Sequence, residues 1–411
     1  MAEEEDRANL AGEEALTLWR QGKDAWNAWI DQHPKVDIDF SDVDFSKERT
    51  EGAPLISFAE FRFGDGHVSF LRTSFGDGNV SFNGASFGDG NVSFNGASFG
   101  NGNVSFNGAS FGNGDVSFIL ASFGDGNVSF FGASFGNGDV SFLAASFGKG
   151  RFLLTLLESR KASWKFGESS FGGSVFIDLS AGANAVRALN LSGTRFESSL
   201  HLTGKFGCVP DLRQSKLSHH VDFSTLAVTL RRKPGPGWRW LAWRAENEQD
   251  GPRLRRLKEI AEGARDHEAA LRFAALENQA NRWIRVGLFA SLLDLAFSAS
   301  SDYGRSIARP TACLLGLLAL ATGILFWFSL PAAACWNWDD QFDRVYDSVV
   351  LAATQAFAFL PPAKEVAAAA NARLFDEHIP RWAGMLALIH SLFSFVCLFL
   401  IGLGLRNRFR L

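Results

Sequence analysis

The chain has 411 residues, including 40 phenylalanines and 41 glycines but only two tyrosines and two methionines. Its formal net charge of -4 is small for this length and argues against a basic nucleic-acid-binding surface. Its four cysteines are scattered along the chain, which excludes a disulfide framework and a Cys/His zinc site.

Residues 1–35 are predicted to form an N-terminal cap helix. The first six residues are acidic and lack the apolar segment of a secretory signal, so the N-terminal half is expected in the cytosol. Apolar residues then recur on one helical face, which Pro34 ends: Leu16, Trp19, Trp26, Trp29 and Ile30. Because the ends of stacked repeats need covering, these side chains are expected to pack on the first repeat rather than bind a ligand.

Residues 36–230 are predicted to form a β-solenoid. Phenylalanine recurs every 12 residues from Phe63 to Phe147, and a second series from Phe70 to Phe142 interleaves with it. Each 12-residue unit holds two short strands, such as residues 80–82 and 85–87, separated by Gly- and Asn-rich turns. Side chains alternate along a strand, so Phe faces inward and Ser outward. Such short strands indicate a parallel coil in which Phe stacks on Phe at roughly 4.8 Å.

This pattern resembles the bacterial pentapeptide-repeat family, in which a small residue, a spacer and Leu or Phe recur every five residues. That step is explicit at Phe40 and Phe45, and again at Phe166 and Phe171. The resemblance implies a right-handed, four-sided β-helix with 24 residues per coil, whereas the sequence alone also allows a flattened 12-residue coil. The Trp-rich N-terminus, the Ser-Asp-Tyr-Gly-Arg-Ser motif of residues 301–306 and the C-terminal run of residues 401–410 are similar to segments of membrane-bound members.

The aspartates of the Gly-Asp-Gly turns raise the question of calcium binding or DNA mimicry. Asn replaces Asp in other turns, and turn chemistry accounts for both residues, so neither a metal nor a cofactor is expected. One carboxylate in 12 residues is too sparse to mimic DNA, so no nucleic-acid partner is expected. The Gly-x-Gly matches are corners without a surrounding βαβ unit, and we do not expect an enzyme.

Some corners that elsewhere read Asn-Gly are apolar. They read Ile119-Leu120, Phe131-Gly132 and Leu143-Ala144. Ile119, Leu120, Phe131 and Leu143 are predicted to stack into an exposed ridge. Either another segment of this chain covers that ridge, or it is an interface for another subunit or a protein partner.

Residues 231–310 are predicted to form a helical linker. It contains a helical pair over residues 252–282, broken near Asp266. The following apolar stretch, residues 284–297, is short and contains Asp294, so it is predicted to be an interfacial helix.

Residues 311–411 are predicted to form a two-span membrane domain. Residues 311–330 and 383–405 are apolar enough to cross a bilayer. Arginines precede the first span and follow the second, so the positive-inside rule predicts a multi-pass protein of the inner (plasma) membrane with both termini in the cytoplasm.

A short apolar helix is predicted between the spans, over residues 348–359. This layout is that of tetrameric pore-loop channels, with a re-entrant helix, although Pro361-Pro362 stands where potassium channels carry a Gly-rich filter. The candidate pore-lining residues are Thr354, Gln355 and His390. The alternative is an interfacial helix on the outer leaflet.

Two functions follow from this organisation. In the first, the chain forms a homo-oligomer, a tetramer or pentamer, that is ion-channel-like, with the solenoid as an assembly or sensing domain. In the second, the spans anchor the solenoid to the lipid membrane, and the solenoid is an interaction scaffold for another protein, without conductance.

Overall fold

The computed structural model describes residues 9–50, 54–159, 162–179, 186–217, 221–223, 225–235, 243–329, 338–358, 361–375 and 380–409. Residues 1–8 of the predicted cap, 330 of the first predicted span, and 359, 360 and 410 of other predicted segments lie outside these ranges. The chain divides into a solenoid unit, Met1–Arg285, and a helical unit, Val286–Leu411. The prediction of stacked parallel strands followed by a helical region with two apolar helices is confirmed.

The N-terminal cap consists of two helices rather than the one predicted. Helices α1 (Gly12–Arg20) and α2 (Lys23–Gln32) are separated at Gly22, whose φ of 90° no helical residue adopts. Trp26 is fully buried and donates its indole N–H to the carbonyl of Arg62 at 2.8 Å. The cap therefore satisfies backbone carbonyls as well as covering the Phe rings of the first coil.

The strands of the solenoid pair in parallel with partners 24 residues away, as Val68, Val92, Val116 and Val140 do. A coil therefore has 24 residues and four sides, and the 12-residue alternative is wrong. The first side comprises Asn9–Ala11, Asp37–Asp39, Val68–Ser69, Val92–Ser93, Val116–Ser117, Val140–Ser141, Ala162–Lys165 and Val186–Asn190. The second comprises Ser122–Phe123, Ser146–Phe147, Ser170–Phe171, Arg195–Phe196 and Lys216–Leu217, and isolated bridges extend it from Ser122 back to Asp44.

The third side comprises Ile56–Ser57, Val80–Ser81, Val104–Ser105, Val128–Phe135, Phe152–Ser159, Val175–Asp178, Leu200–Phe206 and Val221–Asp222. The fourth comprises Ser86–Phe87 and Ser110–Phe111, continues in the second half of Val128–Phe135, and has Leu226–Val228 paired at the end of Leu200–Phe206. A 3-10 turn, Phe45–Glu48, and an antiparallel pair, Arg232–Pro234 with Trp243–Ala245, complete the β part.

The core of the solenoid is four columns of stacked phenylalanine rings. In one column the ring centroids of Phe70, Phe94, Phe118 and Phe142 are 4.8, 4.8 and 4.6 Å apart, with interplanar angles of 3° or less. The other columns contain the stacked pairs Phe58–Phe82, Phe63–Phe87 and Phe75–Phe99. This is the Phe-on-Phe stacking that the sequence predicted, and the spacing is that of adjacent strands.

The Gly-Asp-Gly-Asn turns stack as side-chain hydrogen-bond ladders. Oδ1 of Asp89 accepts hydrogen bonds from the backbone N–H (2.9 Å) and the side-chain amide (3.0 Å) of Asn113, one coil later. Oδ1 of Asn113 accepts the same two hydrogen bonds from Asn137, at 3.4 and 3.1 Å. Asp and Asn are interchangeable here because each supplies an acceptor. Among the described residues no group of His, Cys, Asp or Glu is arranged to hold a metal ion.

The segment predicted as a linker begins with a C-terminal cap. Helices α3 (Asp250–Gly263) and α4 (His267–Asn281) pack on the last coil, where Phe223 meets Phe273 edge to face at 5.7 Å. The buried Asp211 ties the last coil to α3, since its carboxylate accepts from Arg213 at 2.7 Å and from Arg253 at 3.1 Å.

The helical unit contains α5 (Leu288–Ser301), α6 (Ala308–Phe328), α7 (Trp338–Ala356), α8 (Pro361–Phe375) and α9 (Arg381–Phe409). By length and composition, α6 and α9 are able to cross a membrane, with mean hydropathies of 2.1 and 2.4 over their most apolar windows. Most residues in the apolar stretches of α6 and α9 are exposed rather than buried in a protein core. Helix α7 begins ten residues before the short helix predicted at 348, and α8 was not predicted.

Candidate functional site

Helices α6 to α9 pack around a small apolar core. It is formed by Leu325 of α6, Leu351 and Ala352 of α7, and Ala370 and Leu374 of α8, all buried. Helices α6 and α9 run antiparallel, because Phe328 at the end of α6 contacts Trp382 at the start of α9, with ring centroids 5.0 Å apart. The residues predicted to line a pore lie in α7 and α9.

A row of polar side chains runs along α7 beside this core. Gln341, Ser348 and Gln355 are spaced by seven residues, which places them on one helical face two turns apart. Gln341 Oε1, Ser348 Oγ and Gln355 Oε1 are buried atoms without a hydrogen-bond partner among the described residues. Ser394 Oγ of α9 is in the same condition. We call these four residues the polar row.

His390 and Ser391 attach α9 to the C-terminal turns of α7. His390 is 3% exposed, and its Nε2 lies 3.1 Å from the carbonyl oxygen of Ala352, so Nε2 carries the hydrogen of this contact. Ser391 Oγ donates to the carbonyl of Gln355 at 2.8 Å. That carbonyl is one of the last in α7 and has no partner within the helix, so the contact satisfies it.

The three predicted pore-lining residues do not share one environment. Gln355 and His390 both lie at the α7–α9 interface, whereas Thr354 uses its hydroxyl within its own helix, donating to the Leu351 carbonyl at 2.9 Å. Sequence reasoning missed Gln341, Ser348 and Ser394. The seven-residue spacing of polar residues, continued upstream from Gln355, is the signal by which two of them were detectable.

The single apolar ridge predicted on the solenoid is divided between two corners. The amide of Leu120 donates to the carbonyl of Leu143 at 3.0 Å, so Ile119-Leu120 and Leu143-Ala144 stack on one corner. Phe131 lies half a coil away, where Gly108 donates to its carbonyl. The sequence prediction was wrong on this point because a 12-residue step is half of a 24-residue coil.

Leu120 combines exposure with an unfavourable backbone. Its side chain is 67% exposed, and its φ of 59° is left-handed, as at Gly96 (65°) one coil earlier. Phe131 and Leu143 are 56% and 42% exposed, so neither is fully covered by the described residues of the solenoid unit. Ile119 is half-buried. Other non-glycine residues at this corner share the left-handed backbone, so the exposure of a large apolar side chain is what distinguishes Leu120.

The motif of residues 301–306 packs against the end of α9. Gly304 has a φ of 75° and accepts a hydrogen bond at its carbonyl from Asn407 Nδ2 at 3.1 Å. A Cβ on Gly304 would lie 2.8 Å from Leu403 Cδ2, and one on Gly404 would lie 3.0 Å from Ile307 Cγ1. Glycine is favoured at 304 by its positive φ and at both positions by the close packing, and two segments flagged separately in the sequence form one contact.

A cavity of about 810 Å³ lies in the solenoid unit beside the start of α3. Its lining carries charges of both signs, including Arg187, Arg231 and Asp250, and the last of these already pairs with Arg253 at 3.2 Å. Burial raises the pKa of Cys208, which also lines the cavity, to about 11, so this thiol is protonated at neutral pH. The cavity therefore offers no activated thiol, and the charges that line it do not favour a ligand of one sign.

Comparison of the chain with protein-family models found no matching family, and comparison with curated proteins found no match.

Proposed function

We propose that the protein is an oligomeric, pore-like membrane complex in which the solenoid is a cytoplasmic assembly or sensing domain. The observation that carries this proposal is the polar row. A buried polar atom without a hydrogen bond costs about 1–3 kcal/mol, so polar atoms recurring along α7 need water, an ion or groups from another copy. A hydrated path past α7 and α9 supplies them.

The placement of charged and aromatic residues supports a multi-pass inner-membrane topology. The contact of Gly304 with Asn407 puts the start of α6 and the end of α9 on one side of the helical unit, and both segments carry arginines. Trp327 and Trp382 lie toward the opposite ends of these helices, as expected of interfacial aromatic residues. With the arginines inside, both termini are cytoplasmic.

Two membrane-spanning helices do not enclose a pore, so the proposal needs several copies, a tetramer or pentamer. Apolar residues on α7 remain exposed and available to a neighbouring copy: Phe342 (75%), Tyr346 (59%) and Val349 (47%). The solenoid is proposed to be a right-handed pentapeptide-repeat β-helix, which its four sides and inward Phe columns support.

The mass of the detergent-purified protein, measured by light scattering, tests the assembly. A tetramer or pentamer is expected, and a monomer would contradict the pore. Planar-bilayer recordings then test the path: Gln355→Leu and Ser348→Ala are expected to lower conductance. The control Thr354→Val is expected to leave conductance unchanged, because that hydroxyl is already satisfied within α7.

The second candidate is a membrane-tethered scaffold without conductance, which the exposed Leu120 favours. A photo-reactive residue placed at position 120 in cells is expected to crosslink one protein reproducibly, while the same residue at position 96, on the same corner one coil earlier, does not. Equal labelling from both positions would contradict a specific interface at Leu120.

A further inference from the structure

Four arginines gather where the start of α6 meets the end of α9. Arg305 precedes α6, Arg309 lies in its first turn, and Arg406 and Arg408 lie in the last turn of α9. The hydrogen bond from Asn407 to Gly304 joins these segments although they are 103 residues apart in the chain. We call these four residues the arginine cluster.

The arginine cluster is exposed and largely unneutralised. All four side chains are exposed, and Arg309 donates to the backbone carbonyl of Ser298 at 3.2 Å. Among the described residues, no ion pair involves any of the four. One carboxylate, Asp302, lies within the adjoining loop. This end of the helical unit therefore carries an excess of positive charge.

The backbone beneath the cluster is held in place. Gly304 and Gly404 permit contacts that a Cβ would crowd, and Ser301 Oγ accepts from the Gly304 N–H at 3.1 Å. Tyr303 donates to Asp294 Oδ2 at 3.0 Å. Because this support is fixed before any ligand arrives, binding does not have to order the backbone.

Apolar side chains adjoin the positive charge. Leu405 and Phe409 of α9 flank Arg406 and Arg408 in the chain and are 41% and 72% exposed. A guanidinium group binds phosphate oxygens through two parallel hydrogen bonds, which suits a phosphodiester. The combination of guanidinium and exposed apolar groups matches a phosphate that carries acyl chains, whereas a free phosphate uses the charges alone.

We propose that the arginine cluster is a binding site for the headgroup of an anionic phospholipid, with Leu405, on the bilayer side of the arginines of α9, against the acyl chains. The inference rests on the membrane placement of the helical unit proposed above. It goes beyond that placement, because general attraction to a membrane needs no defined site and no saturation.

The test uses the full chain in detergent micelles and follows its thermal unfolding during titration with dihexanoyl-phosphatidylglycerol. A saturable stabilisation is expected, absent with dihexanoyl-phosphatidylcholine. In R305A/R406A the apparent affinity is expected to fall about thirtyfold, the loss of two phosphate contacts. R305K/R406K keeps the charge but not the paired hydrogen bonds, so an intermediate affinity is expected.

A matched control removes two exposed arginines from the solenoid, Arg187 and Arg195. R187A/R195A changes the net charge equally and is expected to keep the full affinity. Equal stabilisation by the two lipids, or an unchanged affinity in R305A/R406A, would overturn the site. Inorganic phosphate that binds as tightly as the lipid would overturn the lipid as its ligand.

Carbonate extraction of cell membranes separates this inference from the proposed function. Wild-type chain released by carbonate would contradict the membrane placement itself. A chain that stays in the membrane but shows no preference for phosphatidylglycerol would contradict the headgroup site alone.

Discussion

Phe130 and Phe131 are neighbours in one strand and point to opposite sides of it. The ring of Phe130 is fully buried and stacks 4.7 Å from that of Phe106, whereas Phe131 is 56% exposed. Phe130→Ala is expected to destabilise the solenoid by about 3–5 kcal/mol, and Phe131→Ala by less than about 0.5 kcal/mol. Thermal unfolding followed by circular dichroism measures both. Equal losses would contradict the inward and outward assignment.

The solenoid is expected to be less stable with leucine at position 120 than with glycine there. Leu120→Gly relieves a left-handed leucine and is expected to stabilise the solenoid by about 0.5–1 kcal/mol after the chain-entropy cost of glycine. The reverse change at the equivalent corner, Gly96→Leu, is expected to destabilise it by a similar amount. Unfolding midpoints of the two variants should move in opposite directions. A loss of stability in Leu120→Gly would mean that the leucine has a packing role.

Two glycines in the same coil are expected to respond differently to alanine. A Cβ on Gly114 would lie 2.1 Å from the carbonyl oxygen of Gly90, so Gly114→Ala must separate adjacent coils. Gly108 has open space around its Cβ position and only a positive φ of 64°. Gly108→Ala is expected to cost about 1 kcal/mol, and Gly114→Ala to prevent accumulation of folded protein. Limited proteolysis distinguishes these outcomes, and similar resistance in both variants would refute the close-approach argument.

The Asp211 contact is expected to make the C-terminal cap sensitive to acid. Burial raises the pKa of this carboxyl, but hydrogen bonds from Arg213 and the charge of Arg253 outweigh burial, so its pKa lies below the ordinary value of 3.8. A carboxyl with a lowered pKa stabilises the fold above the unfolded-state pKa and loses that contribution as the pH falls through the folded-state pKa. Asp211→Asn should therefore lower stability near pH 7 by about 1–2 kcal/mol and change it little in strong acid.

The control for Asp211 is Asp77→Asn. Oδ1 of Asp77 accepts from the backbone of Asn101 at 2.9 Å, and an asparagine oxygen serves equally well, as other turns show. Hydrogen exchange of α3 amides, measured across pH, reports the loosening of the cap. Unchanged exchange in Asp211→Asn at neutral pH would contradict the role of this contact.

The inward Phe columns were predictable because a two-residue strand period and a regular Phe spacing permit one arrangement of faces. The coil length was not predictable, because residues 83–84 and 95–96 both read Asn-Gly although they lie on opposite corners. Local sequence repeats every 12 residues, while the backbone closes only after 24. The division of the apolar ridge follows from that difference.

The helices show a second limit of prediction from the sequence. The apolar face from Leu16 to Ile30 correctly indicated helical structure, but it did not reveal the break at Gly22. The spacing of apolar residues continues across this break, so the sequence pattern looks like that of one helix. The first half of α7 was missed because its aspartates lower the mean hydropathy. The polar row was accessible only in part, because Ser394 belongs to it through the packing of α9 rather than through sequence spacing.

A coil made of two nearly identical halves also bears on how such a chain changes length. Unequal recombination between repeats adds or deletes multiples of the 12-residue unit. An even number of units inserts whole coils and leaves every column aligned. An odd number of units also keeps the Phe columns filled, but it turns the chain beyond the insertion by half a coil. Each later corner then lies on the opposite side of the solenoid, and the C-terminal cap packs against the opposite face. Selection on the cap would then allow homologous chains to vary by whole coils while filtering out half coils.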